Sequence, residues 1–62
     1  MKIKSYQVFY TNGTVQHKTR VYKLIGNAKK NANRIAINKL NKHIHIVGYD
    51  EMNKENFREV IK

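Results

Sequence analysis

Cations and aromatic rings alternate in the second of two strand-like runs near the start of the chain. Lys18, Arg20 and Tyr22 lie two residues apart, and a strand directs every second side chain to the same face. Rings on a sheet stack against nucleobases while neighbouring cations neutralise phosphates. The spacing therefore favours contact with nucleic acid. The alternative is a sheet whose rings are buried and whose cations protect an exposed edge strand from unwanted pairing.

Three lysines flank the start of the one long helical pattern. Lys29 and Lys30 fall in the first turn if Asn27 is the N-cap, and Lys23 lies just upstream. Cations oppose the helix dipole at this end, so a phosphate bound to the free N–H groups between them would account for their position. Arg34 adds a cation further along the polar side. The alternative is a solvated helix face, because exposed lysines cost little stability.

The residues predicted to bind nucleic acid carry cationic or aromatic side chains on the hairpin or the helix. They are Phe9, Lys18, Arg20, Tyr22, Lys23, Lys29, Lys30 and Arg34. Phosphate contacts of this kind release counterions, so the affinity is expected to fall steeply with salt. The prediction covers DNA and RNA, in single or double strands.

The balance of charge points to the same class of partner. The 62 residues include 13 Lys and Arg but only four Asp and Glu, for a formal net charge of +9. All four carboxylates lie at or after Asp50, which indicates a basic region beside a more neutral C-terminal element. A field of this sign attracts polyanions.

Two other functions fit the same charge. In the first, the basic surface binds an acidic protein, and the chain is a small inhibitor or adaptor encoded by a phage or bacterium. Its target would be a protein such as a host defence nuclease, as for anti-CRISPR proteins. In the second, the chain has a structural role in a homo-oligomer such as a homodimer, with edge strands or one hairpin face forming the interface.

The residue types that carry catalysis or hold cofactors are scarce. Cysteine is absent, which excludes disulfides, thiolate–metal sites and cysteine nucleophiles. Ser5 is the one serine and has no base at motif spacing, and no Gly-rich phosphate loop is present. His43 and His45 share one side of a predicted strand without an evident third ligand. We therefore predict no enzyme, no cofactor and no metal site.

The apolar segments are short. No run approaches the roughly 20 apolar residues that cross a bilayer. The N-terminal segment MKIKSYQVFY has the pattern of a strand rather than of a signal peptide. We expect a cytoplasmic protein that does not contact membranes.

The elements that position these residues begin with a β-hairpin. Residues 3–11 and 14–24 are rich in Val, Tyr, Phe and Thr, and the Asn-Gly pair between them predicts a type I′ turn. That turn places Tyr10 opposite Val15 and directs the face that contains Val8 toward the core. The opposite face, in this register, displays Gln7, Phe9, Lys18, Arg20 and Tyr22.

A helix follows the hairpin, with Asn27 as its predicted N-cap and an end near Lys42. Residues 43–47 alternate as a third strand, beside the first strand or beside the second. The predicted apolar stripe of the helix is Ala28, Ala32, Ile35, Ala36 and Leu40.

The last segment, residues 50–62, is ambiguous because Phe57, Val60 and Ile61 fit one helical face while the same residues could form a strand. We predict the short helix. The expected architecture is one small basic α+β domain over residues 1–62, written ββαβ(α), with the main helix packed on a three-stranded sheet.

Overall fold

The computed structural model describes residues 2–61 as four strands and one helix. In chain order they are β1 (Ser5–Asn12), β2 (Val15–Tyr22), α1 (Ile25–Ile37), β3 (Asn41–Tyr49) and β4 (Glu55–Val60). The predicted α+β class is confirmed, with an N-terminal β-hairpin and one main helix packed on a sheet.

The strands form one antiparallel sheet in the order β2-β1-β3-β4. β3 therefore lies beside β1, which is the first of the two predicted positions for it. β2 and β4 are the opposite edges of the sheet. Residues on these two strands are consequently far apart in the fold, which separates the cations of β2 from the carboxylates of β4.

The helix covers one face of the sheet through small side chains. Ala28 and Ala32 are one turn apart on α1 and fully buried, and they pack against Val8 of β1 and against Ile44 and Ile46 of β3. Methyl groups at the contact allow the helix to approach the strands closely. Around this core lie Tyr6, Tyr10, Tyr22, Ile35, Ala36, Phe57 and Ile61.

The turn of the first hairpin differs from the prediction. Asn12 pairs with Val15, where Tyr10 was expected, so the two-residue turn is Gly13-Thr14. Gly13 has φ 64°, and Thr14 is not among the residues with positive φ. This pattern fits a type II′ turn, which needs positive φ only at its first central residue, whereas the predicted type I′ turn needs it at both. The strand register differs from the predicted one by two residues. Because side chains alternate with a period of two, those next to the turn keep their predicted faces.

A β-bulge then reverses the faces in the second half of β2. Phe9 pairs with Lys18, whereas Tyr6 pairs with Tyr22, so four residue steps along β2 match three along β1. An extra residue in a strand changes the side to which the following residues point. The prediction that Arg20 and Tyr22 share a face with Phe9 and Lys18 is therefore wrong. Arg20 and Tyr22 lie on the helix side of the sheet.

The helix begins earlier than predicted. It starts at Ile25, and Leu24 is the N-cap, with no side-chain capping hydrogen bond. Asn27 therefore lies inside the first turn and is not the cap. Ile25, the first helical residue, is half-buried. Because the helix starts there, Lys29 and Lys30 lie beyond the first turn, where the helix dipole has little effect on them.

The helix also ends earlier, at Ile37 instead of near Lys42. Asn38 has extended backbone angles, and its side-chain oxygen accepts the backbone N–H of Leu40. The side chain of the buried Asn41 donates to a carbonyl of the last helical turn at 2.9 Å. These asparagine contacts compete with the helical pattern. Leu40 is consequently outside the helix and exposed.

The C-terminal segment is the strand β4, so the predicted short helix is wrong and the sheet has four strands rather than three. Phe57 packs edge-on against Tyr6, with ring centroids 5.8 Å apart, while Val60 is 71% exposed. This alternation is that of a strand. Pairing with β4 satisfies backbone groups of β3 that a helix would leave without partners.

Candidate nucleic-acid interface

A groove between β2 and α1 collects cations from both elements. The helix packs mainly over β1 and β3, which leaves a space of about 550 Å³ beside the edge strand. No Asp or Glu side chain in the described part of the chain lines this space. Its charged, aromatic and amide lining includes Arg20, Tyr22, Lys23, Lys30, Asn31 and Arg34. We call this space the basic groove.

The helix side of the basic groove follows from sequence spacing. Lys30 and Arg34 are four residues apart, so they lie one above the other on the same side of α1. Asn27 and Asn31 have the same spacing and line the groove as well. These four polar side chains lie on a different side of the helix from the buried Ala28 and Ala32. Asn31 was not among the predicted site residues, although its position next to Lys30 on the polar side was a readable signal.

Tyr22 connects the two walls of the basic groove. Its hydroxyl accepts a hydrogen bond from the side-chain amide of Asn31 on the helix. The guanidinium carbon of Arg20 lies 6.0 Å from the centroid of the Tyr22 ring, within the range of a cation–π contact. Tyr22 therefore contacts Arg20 on its own strand through the ring and Asn31 on the helix through the hydroxyl.

Two neighbouring lysines predicted to act together lie on different sides of the helix. Lys30 lines the basic groove. The Lys29 ammonium lies 3.7 Å from the carboxylate of Glu59 on β4. Of the predicted site residues, the groove brings together Arg20, Tyr22, Lys23, Lys30 and Arg34 and leaves out Lys29, Phe9 and Lys18.

Phe9 and Lys18 lie on the face of the sheet opposite the helix, which we call the open face. Phe9 stacks on His45 of β3, with ring centroids 5.6 Å apart and an interplanar angle of 17°. Lys18 is the strand partner of Phe9 and is exposed. A hollow of about 330 Å³ beside the two rings is also lined by Thr11, Gln16 and His43 and by a second stacked pair, Tyr10 and His17, whose ring centroids are 5.1 Å apart. The sequence left open whether the third strand pairs with the first or with the second, so the contribution of His45 to this ring pair was missed.

The acidic residues lie at the other edge of the sheet, on β4 or in the turn before it. Asp50 is buried, and its carboxylate accepts the backbone N–H groups of Met52 and Lys54 and the side-chain amide of Asn56. Glu55 accepts two hydrogen bonds from the Arg58 guanidinium. These hydrogen bonds lower the pKa of Glu55 below its ordinary value.

Within residues 2–61, the groove cations have no ion-pair partner of this kind. The ion pairs found among residues 2–61 are Lys29–Glu59 and Glu55–Arg58, and neither includes a residue of the basic groove. The positive charge of the groove is therefore not neutralised by a side chain in the described part of the chain.

The described residues 2–61 contain no cluster of three or more His, Asp or Glu side chains that could hold a metal ion. Within the same range, no helix has the length and apolar character needed to cross a membrane. Comparison of the chain with protein-family models, curated proteins and solved structures gives no significant match.

Proposed function

We propose that this protein binds nucleic acid through the basic groove and acts by binding, without catalysing a reaction. One observation carries the proposal: four cations, Arg20, Lys23, Lys30 and Arg34, line a single groove that no carboxylate of residues 2–61 lines. A concave cationic surface of this kind concentrates the field that attracts a phosphate backbone.

The distribution of charge over the sheet supports the same proposal. The groove cations lie on β2, just after it or on the facing side of α1, while all four Asp and Glu residues lie on β4 or just before it. Positive charge is therefore concentrated at the β2 edge of the sheet, and the negative side chains lie at the β4 edge. We expect a polyanion to approach with the β2 edge in front, because long-range fields orient charged partners before contact.

The side chains of the basic groove fit phosphate contacts better than base reading. Arg20 and Arg34 present planar guanidinium groups that can hold phosphate oxygens in pairs, and Lys23 and Lys30 add compact charges. Phosphate contacts fix a polynucleotide in position and carry no sequence information. The proposal therefore includes weak discrimination between sequences.

The test is a titration of the protein into labelled DNA and RNA, single-stranded and double-stranded, at several salt concentrations. Four phosphate contacts predict that log affinity falls linearly with log salt, with a slope of roughly −3 to −4. Fluorescence anisotropy measures both the affinity and the slope. A mixed set of sequences checks that the affinity changes little with base composition.

Absence of binding to all four probes at physiological salt would contradict the proposal. The same basic groove would then be better explained by an acidic protein partner, to be sought by affinity capture with the groove variants as controls.

A further inference from the structure

The edge strand β2 carries cations on both faces of the sheet. Lys18 precedes the β-bulge and lies on the open face beside Phe9, its partner on β1. Arg20 follows two residues later and lies in the basic groove on the helix side. In a regular strand these two side chains would share one face. The bulge thus places positive charge on each side of one exposed edge.

Next to that edge, on the inner strands β1 and β3, the open face has an aromatic surface. Phe9 and His45 are stacked and partly exposed, with the amide of Gln16 and the hydroxyl of Thr11 beside the same hollow. Rings of this kind bind bases whatever their sequence, because every base has a π face. Of the residues that line the basic groove, Tyr22 alone is aromatic; Arg20 lies near its ring, and its hydroxyl accepts the Asn31 amide.

We propose, on the basis of the proposed function, that the ligand is a single-stranded nucleic acid that crosses the β2 edge. Its phosphates lie in the basic groove and beside Lys18, and a base stacks on the Phe9–His45 pair. A flexible strand with unstacked bases can follow this path around one edge of the sheet. A duplex cannot, because it bends smoothly only over lengths of about 50 nm and keeps its bases stacked inside.

The experiment compares three labelled DNA probes of equal length: a single strand, its duplex, and a strand made of abasic sites. The abasic strand retains the phosphates and lacks the bases. We expect the single strand to bind about 5- to 150-fold more tightly than the abasic strand, which is the range for one stacked base. We also expect it to bind more tightly than the duplex.

The variant Phe9→Leu removes the ring and keeps an apolar side chain. We expect it to lower the affinity for the single strand to that for the abasic strand, with no change for the abasic strand or the duplex. Thermal unfolding without ligand establishes that the variant is folded. If it is not, His45→Gln removes the other ring of the pair and gives the same comparison.

A duplex that binds as tightly as the single strand would overturn this inference and leave the proposed function intact. So would an equal loss of affinity for all three probes in Phe9→Leu, or no loss for any. Failure of every probe to bind the unmodified protein would overturn the proposed function as well, so the two failures are distinguishable.

Discussion

The backbone N–H of Val8 donates a hydrogen bond to the side-chain hydroxyl of Thr19, at 3.2 Å, where a regular antiparallel ladder would supply a carbonyl. The Thr19 carbonyl accepts instead from the side-chain amide of Gln7, at 2.7 Å. These two contacts hold the β-bulge of β2. Because the bulge turns Arg20 and Tyr22 to the helix side, the basic groove depends on this threonine.

Replacing Thr19 with Val is expected to destabilise the protein by about 1 to 3 kcal/mol. The shape of the side chain is kept, but the N–H of the fully buried Val8 loses its acceptor, and an unsatisfied buried donor costs an amount of this size. Chemical denaturation measures the change in the free energy of unfolding. We also expect weaker nucleic-acid binding, because Arg20 and Tyr22 lose the backbone that positions them.

The matched control is Thr14→Val in the exposed turn of the hairpin. An exposed substitution of this kind changes stability by less than about 0.5 kcal/mol. Equal stability of the two valine variants would contradict the role assigned to Thr19.

Part of this arrangement was readable from the sequence because it is local. The Asn-Gly pair predicted a hairpin at the right place, and Ala28 and Ala32 predicted the buried helix stripe. The spacing of Lys30 and Arg34 also predicted a shared helix side. Each of these features depends on residues within one turn of helix or one hairpin.

The remainder depends on contacts between distant residues. The bulge forms where Val8 meets Thr19, which no local pattern specifies. The segment that contains Phe57 pairs as a strand because β3 offers it an unpaired edge. Local propensity gives way to tertiary context at such points, and for this reason the predicted face of Arg20 was wrong.

Lys29 and Lys30 are adjacent in sequence, and we expect their removal to have different effects on binding. Lys30→Gln removes a cation of the basic groove, so it should weaken binding to all sequences and reduce the salt slope by about 1. Lys29→Gln removes an exposed partner of Glu59 at the other side of the helix. It should leave the slope unchanged and alter stability by less than about 1 kcal/mol. Salt titrations of both variants make the comparison, and equal slopes would contradict the assignment of Lys30 to the site.

Removing two groove cations together tests whether position or net charge controls the affinity. In Lys30→Gln/Arg34→Gln we expect the salt slope to fall by roughly 1.4 to 1.8, which corresponds to two phosphate contacts. The control Lys39→Gln/Lys42→Gln makes the same change in net charge at exposed residues that do not line the groove. If both pairs lower the slope equally, the affinity depends on net charge alone and the groove has no special part in binding.

Asp50 is expected to control stability without affecting the site. Its buried carboxylate accepts three hydrogen bonds in the turn between β3 and β4. Asp50→Ala leaves these donors without an acceptor, so we expect a loss of about 3 kcal/mol or more. This loss is large beside the roughly 3 to 9 kcal/mol expected for a chain of this length. Asp50→Asn keeps one acceptor oxygen for the two backbone donors, so its loss in the free energy of unfolding should be smaller. Glu51→Ala, at an exposed neighbour, should show the smallest loss. Urea denaturation ranks the three variants.

The same Asp50→Asn variant should leave binding unchanged, because β4 and the basic groove are at opposite edges of the sheet. We expect its folded fraction to bind nucleic acid with an unchanged salt slope. A changed slope would mean that the two edges are coupled.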